Sequence, residues 1–213
     1  MKVHYHFGRV FAAACLGMLL FGMVITTLGS ILPSLIEKFD LSKINAGTLT
    51  SILPGGILAG SLVFGPLVDR YSYKYMFIFC GVIIMLGLQG IAMTDSLMIL
   101  QMSLAAIGLG GGALNGGANA LVSDISVTAA RSRSSNLSLL GVFFGVGALG
   151  MPFLIGILSA IFSSYQIINT VGFFLLIPII YFLITRFPKP KQTHSVPLSQ
   201  SLSLVRDPSL ILL

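Results

Sequence analysis

Charged residues are scarce in this chain. They make up 8% of its 213 residues, whereas 55% are hydrophobic, and an ordinary soluble domain has roughly 25% charged residues. The mean hydropathy of +0.99 therefore argues against a soluble domain and predicts an integral membrane protein. The first apolar run exceeds the roughly 7–15 residues of a signal-peptide core, so we expect it to be retained as a span.

Cysteines and convergent catalytic groups are also scarce. Cys15 and Cys80 both fall inside apolar runs, where we expect buried small hydrophobes and not a disulfide or a metal site. No nucleophile, base and orienting group converge, and the sequence has no metal-ligand cluster or phosphate-binding loop. We predict no enzyme activity, no metal and no cofactor.

The formal net charge of +6 does not indicate a nucleic-acid partner, because no basic cluster interleaves with aromatic residues on a soluble segment. Six apolar runs are long enough to cross a bilayer, which takes roughly 20 helical residues for a core of about 30 Å. They cover approximately residues 10–32, 49–68, 75–93, 97–122, 137–162 and 167–184. Their near-continuous apolar character predicts helices and not barrel strands.

The positions of lysine and arginine predict the orientation of the spans. With the N-terminus inside, the outer loops hold only Lys38 and Lys43 of the 12 cations. The remaining ten lie on the inner side: Lys2, Arg9, Arg70, Lys74, Arg131, Arg133, Arg186, Lys189, Lys191 and Arg206. We therefore predict a multi-pass protein of the plasma or inner membrane with both termini in the cytoplasm.

The chain divides into three predicted parts. Residues 1–186 form a six-helix unit, residues 187–206 form a polar cytoplasmic linker, and residues 207–213 begin a truncated seventh span. Glycine and proline recur in the second and fifth spans, and glycine recurs in the first and fourth. Spans one to three are thus predicted to repeat as spans four to six, in the 3+3 inverted arrangement of many transporters.

The segment at 65–74 resembles the signature G-x-L-x-D-R-x-G-R-K of the major facilitator superfamily. The matching residues are Gly65, Leu67, Asp69, Arg70 and Lys74. Ser72 stands where the signature has glycine, and Tyr73 stands where it has its first cation. The resemblance implies one six-helix half of a twelve-helix transporter that binds a solute between its halves. The expected partners are this solute, the lipid bilayer, and a missing C-terminal half or a second copy.

Weaker resemblances bear on the solute. Residues 110–119 and 143–148 are similar to the fucose, galactose and glucose proton-symporter branch, which implies a small polar solute such as a sugar. No ionisable residue lies at mid-membrane, where a coupled proton would bind. Three alternatives stay open: a proton site in the missing half, facilitative transport, or a resemblance that does not extend to coupling.

Two other functions stay open. Residues 150–152 are similar to the Gly-Pro motif of drug exporters, which implies efflux of a hydrophobic compound as the runner-up. A function of another class is a non-transporting membrane partner or an inactive truncated half-transporter.

Two acid-then-base clusters are candidates for a conformational gate at the inner side. One follows the second span and the other ends the fourth, and a carboxylate there can bind cations and helix N-termini in one state only. The candidates are Gly65, Asp69, Arg70, Lys74, Asp124, Arg131 and Arg133. The alternative is that these charges only anchor helix ends at the lipid headgroups.

The fourth span carries the best candidates for binding solute. Asn115 and Asn119 lie on one helical stripe with Gly108, Gly112 and Ser123, and an amide offers both a donor and an acceptor to a polar solute. The alternative is hydrogen bonding between helices. Gln89, Thr26 and Asn136 are secondary candidates. Threonine can instead bond its own helix backbone, and Asn136 can instead act as a helix cap.

Overall fold

The computed structural model describes residues 5–129 and 132–190. Six α-helices follow one another there: α1 (Phe7–Phe39), α2 (Lys43–Met93), α3 (Leu97–Thr128), α4 (Arg133–Leu158), α5 (Ser164–Phe174) and α6 (Leu176–Ile184). These two ranges contain no strand, and five helical stretches, with Ser164–Ile184 as one, are long and apolar enough to cross a membrane. The prediction of an all-α membrane fold is confirmed.

Several predictions fall on other parts of the chain. Lys2, Arg131, Lys191 and Arg206 lie outside the described residues, as do most of the predicted linker and all of the predicted seventh span.

Helix α1 is longer than its predicted span of 10–32. It has 33 residues, or about 50 Å at 1.5 Å per residue. Only residues 40–42 separate it from α2, so the spans predicted at 10–32 and 49–68 were both too short at this connection. Hydropathy marks the part of a helix that lies in hydrocarbon, and polar residues such as Glu37 continue the same helix beyond it. The helix ends at Asp40, whose left-handed φ of 45° is typical of a C-terminal cap.

Helix α2 contains a break at a single residue. Its 51 residues would extend about 77 Å if straight, but Ser72 has φ 74° and ψ 161°. The spans predicted at 49–68 and 75–93 were therefore too short where they meet, because only Ser72 interrupts the helical structure between them. We call residues 43–71 the first half of α2 and residues 73–93 its second half.

The first half of α2 runs parallel to α3 and touches it backbone to backbone. A Cβ atom built on Gly108 would lie 2.5 Å from the Leu53 carbonyl oxygen, and one built on Gly60 would lie 2.9 Å from the Ala113 nitrogen. Residue numbers thus increase together along the two helices. Small residues allow such close approach in lipid, where no hydrophobic effect drives helices together.

The second half of α2 runs antiparallel to the same helix. A Cβ atom on Gly87 would lie 3.0 Å from the Ser103 carbonyl oxygen, and one on Gly110 would lie 3.0 Å from the Cys80 carbonyl oxygen. The two halves therefore fold back on each other at Ser72 and share α3 as a partner.

A second close crossing joins α1 to α4. A Cβ atom on Gly22 would lie 2.7 Å from the Ala148 nitrogen, and one on Gly147 would collide with the Leu19 carbonyl oxygen. Gly145, in the same helix as Gly147, has nothing within 4 Å of such an atom. Glycine is thus required at some positions of α4 and not at others.

Aromatic rings pack the second half of α2 against α6 and the residues that follow it. The Phe77 ring lies 5.3 Å from that of Phe182 in an edge-to-face arrangement and 5.4 Å from that of Phe187. Cys15 and Cys80 are buried and free, which confirms the prediction that they act as small hydrophobes.

We predict that Gly147→Ala destabilises the protein, because the new methyl group would meet the backbone of α1. Overpacking costs about 1–3 kcal/mol, which exceeds the roughly 0.5–1 kcal/mol that alanine gains over glycine in a helix. The measurement is the thermal unfolding midpoint in detergent.

Gly145→Ala is the matched control, and its midpoint should stay the same or rise. Equal losses in the two variants would show that α1 and α4 do not depend on the absence of a side chain at Gly147.

Candidate functional site

Polar contacts gather at the two ends of the helices. One end, which we call the Asp124 end, contains the Ser72 break, the last turns of α3 and the start of α4. The other, which we call the Lys38 end, contains the end of α1, the turn at 94–96 and the start of α5. The intervening contacts are mostly apolar.

A buried hydrogen bond forms at the Asp124 end. The Tyr73 hydroxyl donates to Asp124 Oδ2 at 2.8 Å, and the two residues are 0% and 6% exposed. It joins the second half of α2 to α3. The charge of Asp69 also acts on the Tyr73 phenol, so both predicted gate carboxylates influence this residue electrostatically.

Sequence reasoning missed Tyr73 as a site residue. The superfamily signature has a cation at this position. The tyrosine that replaces this cation was the one signal in the sequence that could have identified the residue. A phenol is a neutral donor, and a buried donor that satisfies a carboxylate is worth about 1.5–3 kcal/mol.

The other gate candidates lie in different surroundings. Asp69 and Arg70 are exposed, Lys74 is half-buried and Gly65 is buried. Arg133 is exposed and donates from Nε to Ser123 Oγ at 3.0 Å. Their roles as a gate remain predictions.

Ser72 is held in a backbone conformation that glycine adopts far more readily. Its φ of 74° and ψ of 161° lie in a region that is essentially confined to glycine and costs about 1–3 kcal/mol for other residues. The signature places glycine here for that conformational reason. The small size of serine does not relieve this strain, because the strain lies in the backbone angles.

The two asparagines of α3 bond to each other. Asn119 Nδ2 donates to the Asn115 backbone oxygen at 2.9 Å and to Asn115 Oδ1 at 3.0 Å. Within the described ranges, no partner contacts Asn115 Nδ2 or Asn119 Oδ1. Both residues are half-buried, so one donor group and one acceptor remain available on this stripe. Two other members of the stripe, Gly108 and Gly112, pack against α2, and a third, Ser123, accepts a hydrogen bond from Arg133.

The secondary solute candidates make local or helix-to-helix contacts. Gln89 Nε2 donates to the Asn169 backbone oxygen at 3.0 Å, and the side-chain oxygens of both residues are buried without a partner among the described residues. The Thr26 hydroxyl bonds the Gly22 oxygen of its own helix at 3.1 Å. Asn136 donates to Ser126 Oγ at 2.9 Å. Their assignment to solute binding stays a prediction.

A groove of about 500 Å³ separates α1 from the first half of α2. Its lining is mainly apolar and includes the hydroxyls of Thr50 and Ser61. Ser61 donates to the Gly112 oxygen at 3.4 Å, and Asn115 follows Gly112 by about one helical turn. The groove thus ends about one turn from the asparagine pair.

A single lysine, Lys38, connects α1 with the turn that follows α2 and with the start of α5. Lys38 Nζ lies 2.7 Å from Asp95 Oδ1 and donates to the Thr94 oxygen at 2.7 Å. It also lies 4.7 Å from the centre of the Tyr165 ring, and the Tyr165 hydroxyl donates to the Ser34 oxygen at 2.9 Å. Lys38 was predicted only to be an outer-loop charge, and nothing in the sequence pattern indicated these contacts.

No group of three or more histidine, cysteine, aspartate or glutamate side chains is placed to hold a metal ion in residues 5–129 and 132–190.

A family model described as the Major Facilitator Superfamily matches residues 14–213. The chain is 28% identical over 159 residues to the MFS-type efflux pump MMF1 of Pseudozyma antarctica (strain T-34), covering 75% of this chain and 29% of that protein. It is 30% identical over 115 residues to YncC of Bacillus subtilis (strain 168), named provisionally as a metabolite transport protein, covering 53% of this chain and 24% of that one. The chain thus spans less than a third of the length of these relatives.

The crystal structure of the nucleoside transporter NupG superimposes with a TM-score of 0.76 at 14% identity. The match covers 96% of this chain and 52% of NupG. At this identity the likeness shows the fold alone.

We predict that Ser72→Gly stabilises the protein, because it removes backbone strain at the break in α2. Removal of the backbone strain gains about 1–3 kcal/mol. This gain outweighs the roughly 0.5–1 kcal/mol that glycine costs because it makes the unfolded chain more flexible. The thermal midpoint should rise by about 2–4 °C for each kcal/mol gained.

Ser51→Gly, at an exposed helical serine of the same helix, is the control and should lower the midpoint, since glycine is a poorer helix former. A lower midpoint in both variants would contradict strain at Ser72.

Proposed function

The chain belongs to the major facilitator superfamily, and on that basis we propose that it forms one half of a transporter that carries a small polar solute across a membrane by alternating access. The observation that carries the proposal is the family match over nearly the whole chain. The transporter is secondary active or facilitative, and a sugar is the preferred solute.

We propose that the two halves of α2 each cross the bilayer, which gives six crossings in a 3+3 inverted repeat. The two glycine crossings support this arrangement. Under such a repeat the first span corresponds to the fourth and the second to the fifth. The contact between the second and fourth spans is then equivalent to the contact between the fifth and first spans. These two contacts are the glycine crossings at which the helix backbones come closest. The Asp124 end and both termini are cytoplasmic in this proposal.

A six-helix unit supplies one wall of a transport pathway. We propose that a second such unit, from a longer chain or from a second copy, supplies the other wall, with residues 187–206 as the linker and 207–213 as the start of the next span. Superfamily transporters bind solute between two such halves.

The solute contacts proposed for this half are Asn115 Nδ2 and Asn119 Oδ1. These atoms are left over from the bond between the two asparagines, and together they offer a donor and an acceptor. A hydroxyl group both donates and accepts, so a neutral polyol fits the pair better than a charged solute does. Gln89, Thr26 and Asn136 remain secondary contacts in the proposal.

The gate proposed at the Asp124 end consists of the Asp124 hydrogen bond to Tyr73 and the exposed carboxylate of Asp69. In this proposal Asp69 binds groups of the second half when the cytoplasmic side is closed. Contacts made in one state and lost in the other bias a two-state equilibrium. Gly65, Arg70, Lys74, Arg131 and Arg133 complete the proposed gate.

A second candidate is efflux of a hydrophobic compound or metabolite. The relative named as an efflux pump and the mainly apolar lining of the groove beside α1 favour it. Proton symport has no titratable group at mid-membrane in this half to support it. A non-transporting partner or an inactive half is the remaining alternative, and it predicts no solute flux.

We predict that Asn115→Ala and Asn119→Ala each weaken solute uptake by the complete protein. Losing one hydrogen bond to solute costs about 0.5–1.5 kcal/mol, so the half-saturating concentration should rise up to about tenfold. The measurement is uptake of labelled hexoses into vesicles, beside efflux of a hydrophobic dye.

Asn45→Ala, at an exposed asparagine near the Lys38 end, is the control. Unchanged hexose uptake in both α3 variants would remove the solute assignment, and dye efflux without hexose uptake would favour the second candidate.

We predict that Asp69→Asn lowers the transport rate at least about tenfold, equivalent to about 1.4 kcal/mol on the conformational step. The substitution keeps the size of the side chain and removes its charge, so membrane insertion should not change. Asp40→Asn, also at an exposed carboxylate, should transport normally. If Asp69→Asn transports as well as the parent, Asp69 is only an anchor at the headgroups.

A further inference from the structure

An apolar groove of about 570 Å³ lies where the two halves of α2 meet. Leu67 and Tyr71 line it before the break, and Tyr75, Phe79 and Val82 line it after the break. The residues Tyr71, Tyr75 and Phe79 are 51%, 64% and 53% exposed. These large apolar surfaces have no cover from the described helices, and neither the proposed gate nor the proposed solute contacts use them.

The groove has the depth of one bilayer leaflet. Val82 follows Ser72 by ten residues, which a helix covers in about 15 Å. The hydrocarbon core is about 30 Å thick, so half of it is also about 15 Å. A groove that begins at the break in α2 and reaches Val82 therefore matches the length of one acyl chain.

Positive charge lies beside the part of this groove that is next to the Ser72 break. The Arg70 guanidinium lies 5.4 Å from the centre of the Tyr71 ring, and Lys74 precedes Tyr75. Asp69 is the opposing charge nearby, so the cluster has one net positive charge. Arginine binds phosphate through two parallel hydrogen bonds, and tyrosine favours the membrane–water interface. Cations at one end and apolar walls along the rest match the charge distribution of an anionic amphiphile.

We propose that this groove binds an anionic phospholipid, with an acyl chain along Phe79 and Val82 and its phosphate at Arg70 and Lys74. The lipid fills the angle between the two halves of α2 beside the Ser72 break. It thereby covers apolar surface that the described helices leave open. The proposal does not depend on transport or on the identity of the solute.

The absence of tryptophan from the chain allows a direct test. Phe79→Trp places a single fluorescent reporter in the groove, and the protein is reconstituted in phosphatidylcholine vesicles. Phosphatidylglycerol or phosphatidylcholine with brominated acyl chains is then titrated in as a quencher. We expect brominated phosphatidylglycerol to quench with about fivefold higher apparent affinity, the preference expected for one net cation near a headgroup.

Arg70→Gln with Lys74→Gln should abolish this preference while the reporter stays accessible to both lipids. Leu139→Trp is the matched control, because it lies on α4 at a similar distance from the Asp124 end, is 42% exposed and is outside the groove. It should show no such preference. Tyr75→Trp repeats the test at a second position if Phe79→Trp does not fold.

Three results would overturn the proposal. Equal quenching by the two lipids at Phe79→Trp indicates bulk lipid only. Weak quenching by both lipids indicates that protein, such as a second half or a second copy, covers the groove. The same preference at Leu139→Trp, or one that survives loss of both cations, indicates general attraction of the lipid to a basic protein. Transport is not a readout here, so these results are separate from failure of the proposed function.

Discussion

The packing of the described helices depends on direct contact between backbones at glycine. In lipid, burial of apolar surface gives no advantage to one helix pair over another, so close approach and van der Waals contact decide which helices pair. Gly60 and Gly108 set the distance between α2 and α3, and Gly22 and Gly147 set that between α1 and α4. Contacts of this kind do not stretch, because a packed interface resists gradual deformation. Each pair of helices therefore behaves as a unit.

The Asp124 end combines a strained residue with a neutral hydrogen bond. Ser72 stores energy in its backbone, and the buried bond from Tyr73 to Asp124 lies directly beside it. Strain persists only where neighbouring contacts determine the conformation, and the buried phenol provides such a contact. The bond contributes an interaction that salt screens weakly, since screening acts mainly on exposed charges.

The broad fold could be predicted from the sequence, but the individual side-chain contacts could not. Each of the five long apolar helical stretches in the described residues contains a run that hydropathy located. Hydropathy placed the end of α1 before Glu37, because polar residues can extend a helix past the hydrocarbon. The signature located the break in α2 to within a few residues. It did not show that Ser72 is strained or that Tyr73 bonds Asp124, because both depend on backbone angles and on a residue 51 positions away. The asparagine stripe was found from helical spacing, whereas the bond between its two amides depends on side-chain rotamers.

The contacts of Lys38 restrict how the helices can move relative to one another. Its ammonium group links the end of α1 to the turn after α2 and lies against the Tyr165 ring at the start of α5. The same side chain therefore ties the ends of α1, α2 and α5 together at the Lys38 end. Pulling these ends apart would break the ion pair, the hydrogen bond and the ring contact at once, whereas tilting the described helices as one body breaks none of them. The Lys38 end is thus stiff against separation of its helices through the reach of one cation.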